Sequence, residues 1–430
     1  MNNIEDLYKI FKECKNICTD SRRVRKDSLF FALKGENFDG NKYAEKALNL
    51  GCAYAVVDDA NYVISEKYIL VKDVLKTLQE LAKYHRQRLN IPIIAITGTN
   101  GKTTTKELIS SVLAQRFRLI ATKGNMNNHI GVPLTILSMN HTTDFGVIEM
   151  GASSKGEISL LCEIAQPNYG LITNIGRAHL EGFKTEEVIA QTKKELYDYL
   201  TQNEGVIFVN DENPKLKDLL GDYQAIKYGN TENSNCKGKL VTRELYVGVE
   251  WECANNKGLA FSNLIGEYNF ENILAAICIG NYFSISSIIL DKTISAYIPS
   301  NNRSQWVMGR RNQLILDFYN ANPTSMKLAI ENFIQYQANK KILILGDMLE
   351  LGIYSDEEHN NILEMIDYFH YEDVFLIGQE FYNQRKGHPY IFFEDVNQLN
   401  KYLVKNPPSG SLILVKGSRG IKLEKCIDYL

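Results

Sequence analysis

The 430-residue sequence predicts an α/β protein built from three domains. Three observations predict it. The chain is well past the length at which one hydrophobic core stops growing. From residue 91 onward, short apolar runs alternate with helix-length amphipathic segments, the pattern of parallel strands with crossover helices. That alternation comes in two series, divided by the polar, proline-bearing stretch IPSNNRS at 298–304.

The elements follow in order. Before residue 91, SLFFALKG (28–35) and YAVVD (54–58) read as strands of a small α/β N-terminal domain over 1–90. A central domain spans 91–298, with buried strands IPIIAIT (91–97), FGVIEM (145–150), YGLITNI (169–175) and GVIFVN (205–210). Segments 101–116 and 185–202 carry helical spacing. Between 236 and 262, YVGVEWE and GLAFSNL flank a polar CANNKG turn and read as a β-hairpin, after which helical pattern returns at 269–283. The second series spans 299–430, with strands at 313–319, 341–346, 373–378 and 411–417 and helices at 324–336, 356–369 and 395–404. This is a Rossmann-like C-terminal domain.

Lys plus Arg number 48 against 51 Asp plus Glu, a formal net charge of −3 without basic blocks, which argues against nucleic acid as a partner. The N-terminal MNNIEDLYKIFKEC lacks a basic stretch leading into an apolar run, so no signal peptide is expected. The longest apolar runs, such as 91–97 and 273–280, are too short to span a bilayer. No membrane insertion, a cytoplasmic location and a monomer are the expectations. Eight cysteines are scattered without a Cys-x-x-Cys, the nearest pair being Cys14 and Cys18, so all eight are expected as reduced thiols.

The strongest local signal is Gly98-Thr99-Asn100-Gly101-Lys102-Thr103-Thr104, set between a buried strand and a helix start. Glycines let the backbone curl so that successive N–H groups and the helix N-terminus face an anion. Lys102 then supplies a charge to β and γ phosphates, and the Thr103 hydroxyl suits Mg²⁺. The strict G-x-x-x-x-G-K-[ST] pattern fails because residue 96 is Ile. The strand–loop–helix context still favours nucleotide binding over a chance helix cap, giving a central domain of the P-loop, parallel-sheet ATPase kind. A nucleoside triphosphate site needs a second metal-holding group from a neighbouring strand end. Glu149, closing FGVIEM, is so placed, although a lone strand-end Glu is ordinarily a solvated loop residue.

With further motifs added, the chain resembles the Mur ligases, ATP-dependent enzymes that form amide bonds. The motifs are GTNGKTT (98–104), GNMNN (124–128), Glu149-Met150-Gly151, Asn174 with AHLEGF (178–183), GEYNFEN (266–272), DFYNANP (317–323), GDMLELG (346–352) and KGSR (416–419). YNANPTSM and GDMLELG resemble the forms of the branch whose second substrate is a dipeptide. The Asn-Pro-Arg-type motif of the diamino-acid-adding branch is absent. Tyr268 departs from the pattern, standing where many relatives have His.

The resemblance implies an ATP-dependent ligase that adds D-alanyl-D-alanine to UDP-N-acetylmuramoyl tripeptide through an acyl phosphate, in peptidoglycan precursor synthesis. It implies two Mg²⁺ ions, one held by Thr103 and Glu149, the other by His179 with a carbamylated Lys193. Lys194 is the adjacent competitor, and only the family spacing from His179 selects Lys193. Asn269 and Asn272 are likened to the adenine pocket, Arg303 to an arginine reaching the nucleotide, and Asp317 to the acid near the ribose. Asn127, Asn128, Asn320 and Asn322 are expected along the substrate cleft, though Asn320 and Asn322 equally suit turn chemistry. Ser21, Arg22, Lys34 and Gly35 resemble the part of the N-terminal domain that receives the uridine diphosphate group. Two other readings compete: a sister ligase, MurE-like or folylpolyglutamate-synthase-like, and a non-catalytic nucleotide switch. The switch does not require Lys102, Glu149, His179 and Lys193 together.

Overall fold

The computed structural model describes residues 3–243, 245–371 and 373–430. Of its four sheets, the three larger ones fall one in each of the three expected domains. The first is a four-stranded parallel sheet in the order Asn16–Cys18, Ser28–Phe31, Tyr54–Val57, Tyr68–Leu70. The strand expected at 28–35 stops at Phe31, and Lys34–Gly35 instead forms a separate small ladder with Phe38–Asp39.

Helix Val74–Leu89 is N-capped by Asp73, whose carboxylate accepts from Lys76 N, and ends at Asn90 in the left-handed region. Its apolar face, with Leu78, Leu81 and Ala82 fully buried, lies between the first sheet and the second. One apolar core therefore runs from Leu7, Phe31 and Val56 to Ile93, Ile136 and Leu161. Separating the N-terminal and central units would expose both sides of it.

The central sheet has nine strands in the order Leu119–Ala121, Phe145–Glu149, Ile93–Thr97, Tyr169–Ile172, Val206–Asn210, Ala225–Gly229, Cys236–Arg243, Tyr246–Cys253, Asn256–Ile265. Pairing is parallel as far as Cys236–Arg243 and antiparallel beyond it. Strand Ile93–Thr97 thus lies between Phe145–Glu149 and Tyr169–Ile172, and the carboxyl ends of all three open onto one crevice. Helices Lys102–Leu113 and Asn269–Tyr282 cover one face of the sheet, Glu157–Ala165 and Glu186–Gln202 the other.

The expected hairpin is present as the outer part of a three-stranded meander. Its first strand, Cys236–Arg243, brings a correction. The antiparallel register sets Cys236 directly opposite Cys253, and a disulfide joins them across a sequence separation of 17. Reduced thiols at all eight cysteines are therefore not what the fold contains. Cross-strand register, which the sequence spacing does not display, decides this pair. Cys14, Cys18, Cys52, Cys162, Cys278 and Cys426 are free.

The C-terminal sheet runs Gln305–Met308, Gln313–Asp317, Leu412–Lys416, Lys341–Gly346, Asp373–Ile377, Ile391–Phe393, parallel except for its first strand. The two edge strands are half-exposed, and their apolar stretches, Trp306–Met308 and Tyr390–Phe393, are too short to mark them clearly in the sequence. No helix among the described residues is long and apolar enough to cross a membrane.

Candidate active site

Strand Ile93–Thr97, buried at every position, delivers the chain to Gly98 at φ +141°. A Cβ at Gly98 would overlap the Thr173 hydroxyl, so only glycine lets the loop pass that close to the neighbouring strand end. Gly101, at φ +77°, then starts helix Lys102–Leu113. The loop is laced to the segment after Tyr169–Ile172. Thr99 N donates to Asn174 O (2.9 Å), Asn100 N to Asn174 Oδ1 (2.9 Å), the Thr173 hydroxyl to Asn100 O (2.6 Å) and Gly176 N to Thr99 Oγ1 (3.0 Å). Lys102 Nζ folds over the loop and donates to Gly98 O (2.7 Å) and Thr99 O (2.8 Å). Burial lowers the Lys102 ammonium to about 8, with Glu149 opposing and Arg303 adding to the effect.

Asn269 and Asn272 line the same cleft, but their amides are used in the scaffold. Asn269 Nδ2 donates to Ile265 O (2.8 Å), Asn272 Nδ2 donates to Asn269 Oδ1 (2.9 Å), and Thr105 Oγ1 donates to Asn272 Oδ1 (2.9 Å). They tie helix Asn269–Tyr282 to the phosphate-loop helix.

Glu149, 2% exposed, stands at the end of its strand with Oε1 accepting from Asn127 Nδ2 at 2.8 Å. Its other carboxylate oxygen, Oε2, is buried without a hydrogen-bond partner. Leaving such an oxygen unpaired is costly unless a cation or donor arrives to meet it. Thr103 lines the cleft from the phosphate-loop helix, so a hydroxyl and a carboxylate oxygen, both hard donors, face the space where Mg²⁺ is expected. No three His, Cys, Asp or Glu side chains among the described residues form a metal cage by themselves. A cation here would rest on this pair and on nucleotide oxygens, which is how Mg²⁺ usually binds. Asn128 is an Asx cap, its Oδ1 accepting from Ile130 N (3.1 Å) and Gly131 N (2.9 Å).

His179, at φ +50°, pairs through Nδ1 with the Glu350 carboxylate of the C-terminal domain. That hydrogen bond holds the Glu350 carboxyl below its ordinary range. Lys193 projects from helix Glu186–Gln202, 3% exposed, with Nζ 5.5 Å from the Phe183 ring centroid. Burial first, then the like charge of Lys102, lowers its amine to about 7 against the pull of Glu157 and Glu195. Lys194 points elsewhere, ion-paired with Asp198 and lying over the Tyr223 ring.

The C-terminal domain closes the cleft. Asn322 caps helix Pro323–Gln335 and donates through Nδ2 to Asn100 Oδ1 of the phosphate loop at 2.8 Å. Arg177 N donates to Thr324 Oγ1 (3.1 Å), and the Arg177 guanidinium pairs with Glu358 (2.6 Å). Arg303 stacks over Tyr319 at 3.9 Å. Asp317 accepts from Lys416 Nζ (2.6 Å), its neighbour in the parallel register, and from Ser304 N (3.3 Å). Asn320 lines the cavity beside Tyr319, its Oδ1 accepting from Ala321 N. The shared cavity measures about 570 Å³. It is large enough for the phosphate end of a nucleotide beside an acceptor carboxylate.

Comparison with known proteins bears on this arrangement. Residues 13–92, 96–280 and 302–419 match in turn the models "Mur ligase family, catalytic domain", "Mur ligase middle domain" and "Mur ligase, glutamate ligase domain". The chain is 35% identical to the UDP-N-acetylmuramoyl-tripeptide–D-alanyl-D-alanine ligase of Bacillus subtilis, over 96% of this chain and 92% of that one. The chain belongs to the Mur ligase family. Among solved structures, MurF from Acinetobacter baumannii superposes on this Mur ligase with a TM-score of 0.87 at 26% identity, covering 98% of this chain and 97% of that one. The MurF ligase from Thermotoga maritima in complex with ADP gives a TM-score of 0.86 at 27% identity, with coverage of 98% and 97%.

This Mur ligase thus gathers Lys102, Thr103, Glu149, His179, Lys193, Arg303, Asp317, Asn127, Asn128 and Asn320 around one cavity. The N-terminal candidates do not join them. Ser21 is buried, Arg22 pairs with Asp20 (2.9 Å) and Lys34 with Asp58 (2.8 Å), and none of these or Gly35 lines the cavity. Sequence reasoning named no role for Glu350, Lys416, Tyr319 or Thr324. All four lie in or beside motifs quoted for the family, but their partners come from other strands and another domain.

Proposed function

We propose that this Mur ligase joins D-alanyl-D-alanine to UDP-N-acetylmuramoyl tripeptide at the expense of ATP. The tripeptide carboxylate attacks the γ phosphorus, ADP leaves, and the dipeptide amine then displaces inorganic phosphate from the acyl phosphate to form the amide. The unpartnered Glu149 Oε2 beside the phosphate loop carries the chemical part of this reading, because it asks for a cation where transferred phosphoryl charge has to be balanced. Full-length similarity to ligases named for these two substrates supports the choice of substrate.

The residues divide the work. Lys102 exchanges its two carbonyl partners for phosphate oxygens. The amides of the phosphate loop and the N-terminus of helix Lys102–Leu113 hold the remaining phosphate charge. Thr103 and Glu149 would hold one Mg²⁺, and His179 with a carbamylated Lys193 a second. Mg²⁺ held there would supply positive charge against the phosphoryl oxygens. Arg303 faces the nucleotide, with Asp317 at the ribose. Asn127, Asn128, Asn320 and Asn322 border the peptide path, and Ser21, Arg22, Lys34 and Gly35 mark a separate uridine diphosphate end. The domains meet near residues 90 and 299, and the enzyme works as a cytoplasmic monomer.

ADP release measured against a panel of amines tests the assignment. Release that depends on both the UDP-linked tripeptide and D-alanyl-D-alanine is expected. Equal turnover with free diaminopimelate or glutamate would move the enzyme to a sister branch.

A further inference from the structure

The pairing of His179 with Glu350 has a consequence for how the cleft is assembled. An ionised carboxylate only accepts hydrogen bonds, so its contact with Nδ1 puts the ring proton on that nitrogen. No described residue hydrogen-bonds Nε2, which is left open to a further partner. Both partners sit at φ values that L-residues seldom adopt, +50° for His179 and +65° for Glu350.

The loop bearing Glu350 is pinned along its length. Met348 N donates to Nε2 of the wholly buried His359, whose Nδ1 bonds Ser355 O at 2.7 Å. Leu349 N donates to the Ser418 hydroxyl (2.9 Å), and Glu181 N, from the segment that follows His179, donates to Glu350 O (3.2 Å). The carboxylate is therefore delivered by a fixed backbone, and it comes from a different domain than the histidine it holds.

We infer that Glu350 is a positioning residue that sets the tautomer and orientation of His179, so that Nε2 is available to a cation only while the C-terminal domain is docked. The inference rests on the proposed role of His179 toward Mg²⁺, but its first test does not. A carboxylate behind a ligating histidine fixes the ring and raises its donor strength. Here that support arrives across a domain boundary, which ties cation binding to docking.

The experiment uses the full chain labelled with ¹⁵N-histidine, without substrates, at about pH 8 so that ordinary histidines are neutral. The His179 signals are identified by their loss in His179→Gln. In the wild type they should report a proton on Nδ1, and in Glu350→Ala they should move toward the Nε2–H form. Should Glu350→Ala fail to fold, Glu350→Asp, which withdraws the carboxylate by one methylene, carries the same reading. In turnover, the Mg²⁺ concentration giving half-maximal rate should rise about tenfold in Glu350→Ala while KM for ATP stays within about twofold. Glu350→Gln, whose amide oxygen can accept from Nδ1–H, should recover most of that loss. An Nε2–H ring in the wild type, or an unchanged tautomer in Glu350→Ala, overturns the inference whatever the enzyme's substrates prove to be.

Discussion

Lys193 permits the most quantitative test. An ordinary lysine at 10.5 is a free amine in about one molecule in three thousand at pH 7, whereas an amine lowered to about 7 is free in about half. Only the free amine adds CO₂, so this site is favoured over an exposed lysine by roughly a thousandfold at neutral pH. The product is an anion, and the Lys102 charge that opposes the ammonium attracts it instead. Incubation with ¹³C-bicarbonate should give a carbamate resonance that Lys193→Ala abolishes and Lys194→Ala retains. Lys193→Ala should also lose most turnover, with partial recovery in a small carboxylic acid, while Lys194→Ala stays near normal.

The stability consequence has a definite sign. The folded value lies below the unfolded one, so between about 7 and 10.5 the unfolded chain holds more protons and stability rises with pH. At and below the lower value the cost of burying the cation is fully present, at most about 5 kcal/mol. Without CO₂, Lys193→Met should therefore be more stable than the wild type at pH 6 by about 2–4 kcal/mol in urea unfolding, an advantage fading toward pH 10. A labelled carbamate that survives in Lys193→Ala, or a Lys193→Met variant no more stable at pH 6, would refute the reasoning.

Lys102→Ala and Glu149→Ala should each cut kcat by at least about a hundredfold while the chain still folds, because both act on charge rather than packing. Near-normal turnover in either variant would remove it from the assigned role. Asn322→Ala, which breaks the link to Asn100 and the helix cap, should loosen docking of the C-terminal domain. An increased radius of gyration in scattering, reversed by ATP with tripeptide, is the expected result; profiles identical to the wild type would contradict it. Thiol titration of the denatured, unreduced chain should find six groups, and Cys253→Ala should cost about 3 kcal/mol through loss of the cross-link. Eight titratable thiols would show that the Cys236–Cys253 bridge is absent.

Much of this protein can be read from local pattern. Strands such as 93–97, 145–149 and 341–346 show as apolar runs because both faces of their sheets are covered. The phosphate loop shows because its glycines answer local backbone needs, at Gly98 and Gly101 above all. The edge strands Gln305–Met308 and Ile391–Phe393 show poorly, since their apolar stretches are only three or four residues long. The site divides along the same line. The sequence by itself marked Lys102, Glu149, His179 and Lys193 as candidates, through motifs that resemble those of one family. Only the tertiary structure decided that Asn269 and Asn272 are engaged in the scaffold, that Glu350 holds His179, that Asp317 meets Lys416, and that Cys236 faces Cys253. The reason is physical: helix and strand periods are local properties of the chain, whereas each of these contacts depends on register or docking between segments that are distant in sequence.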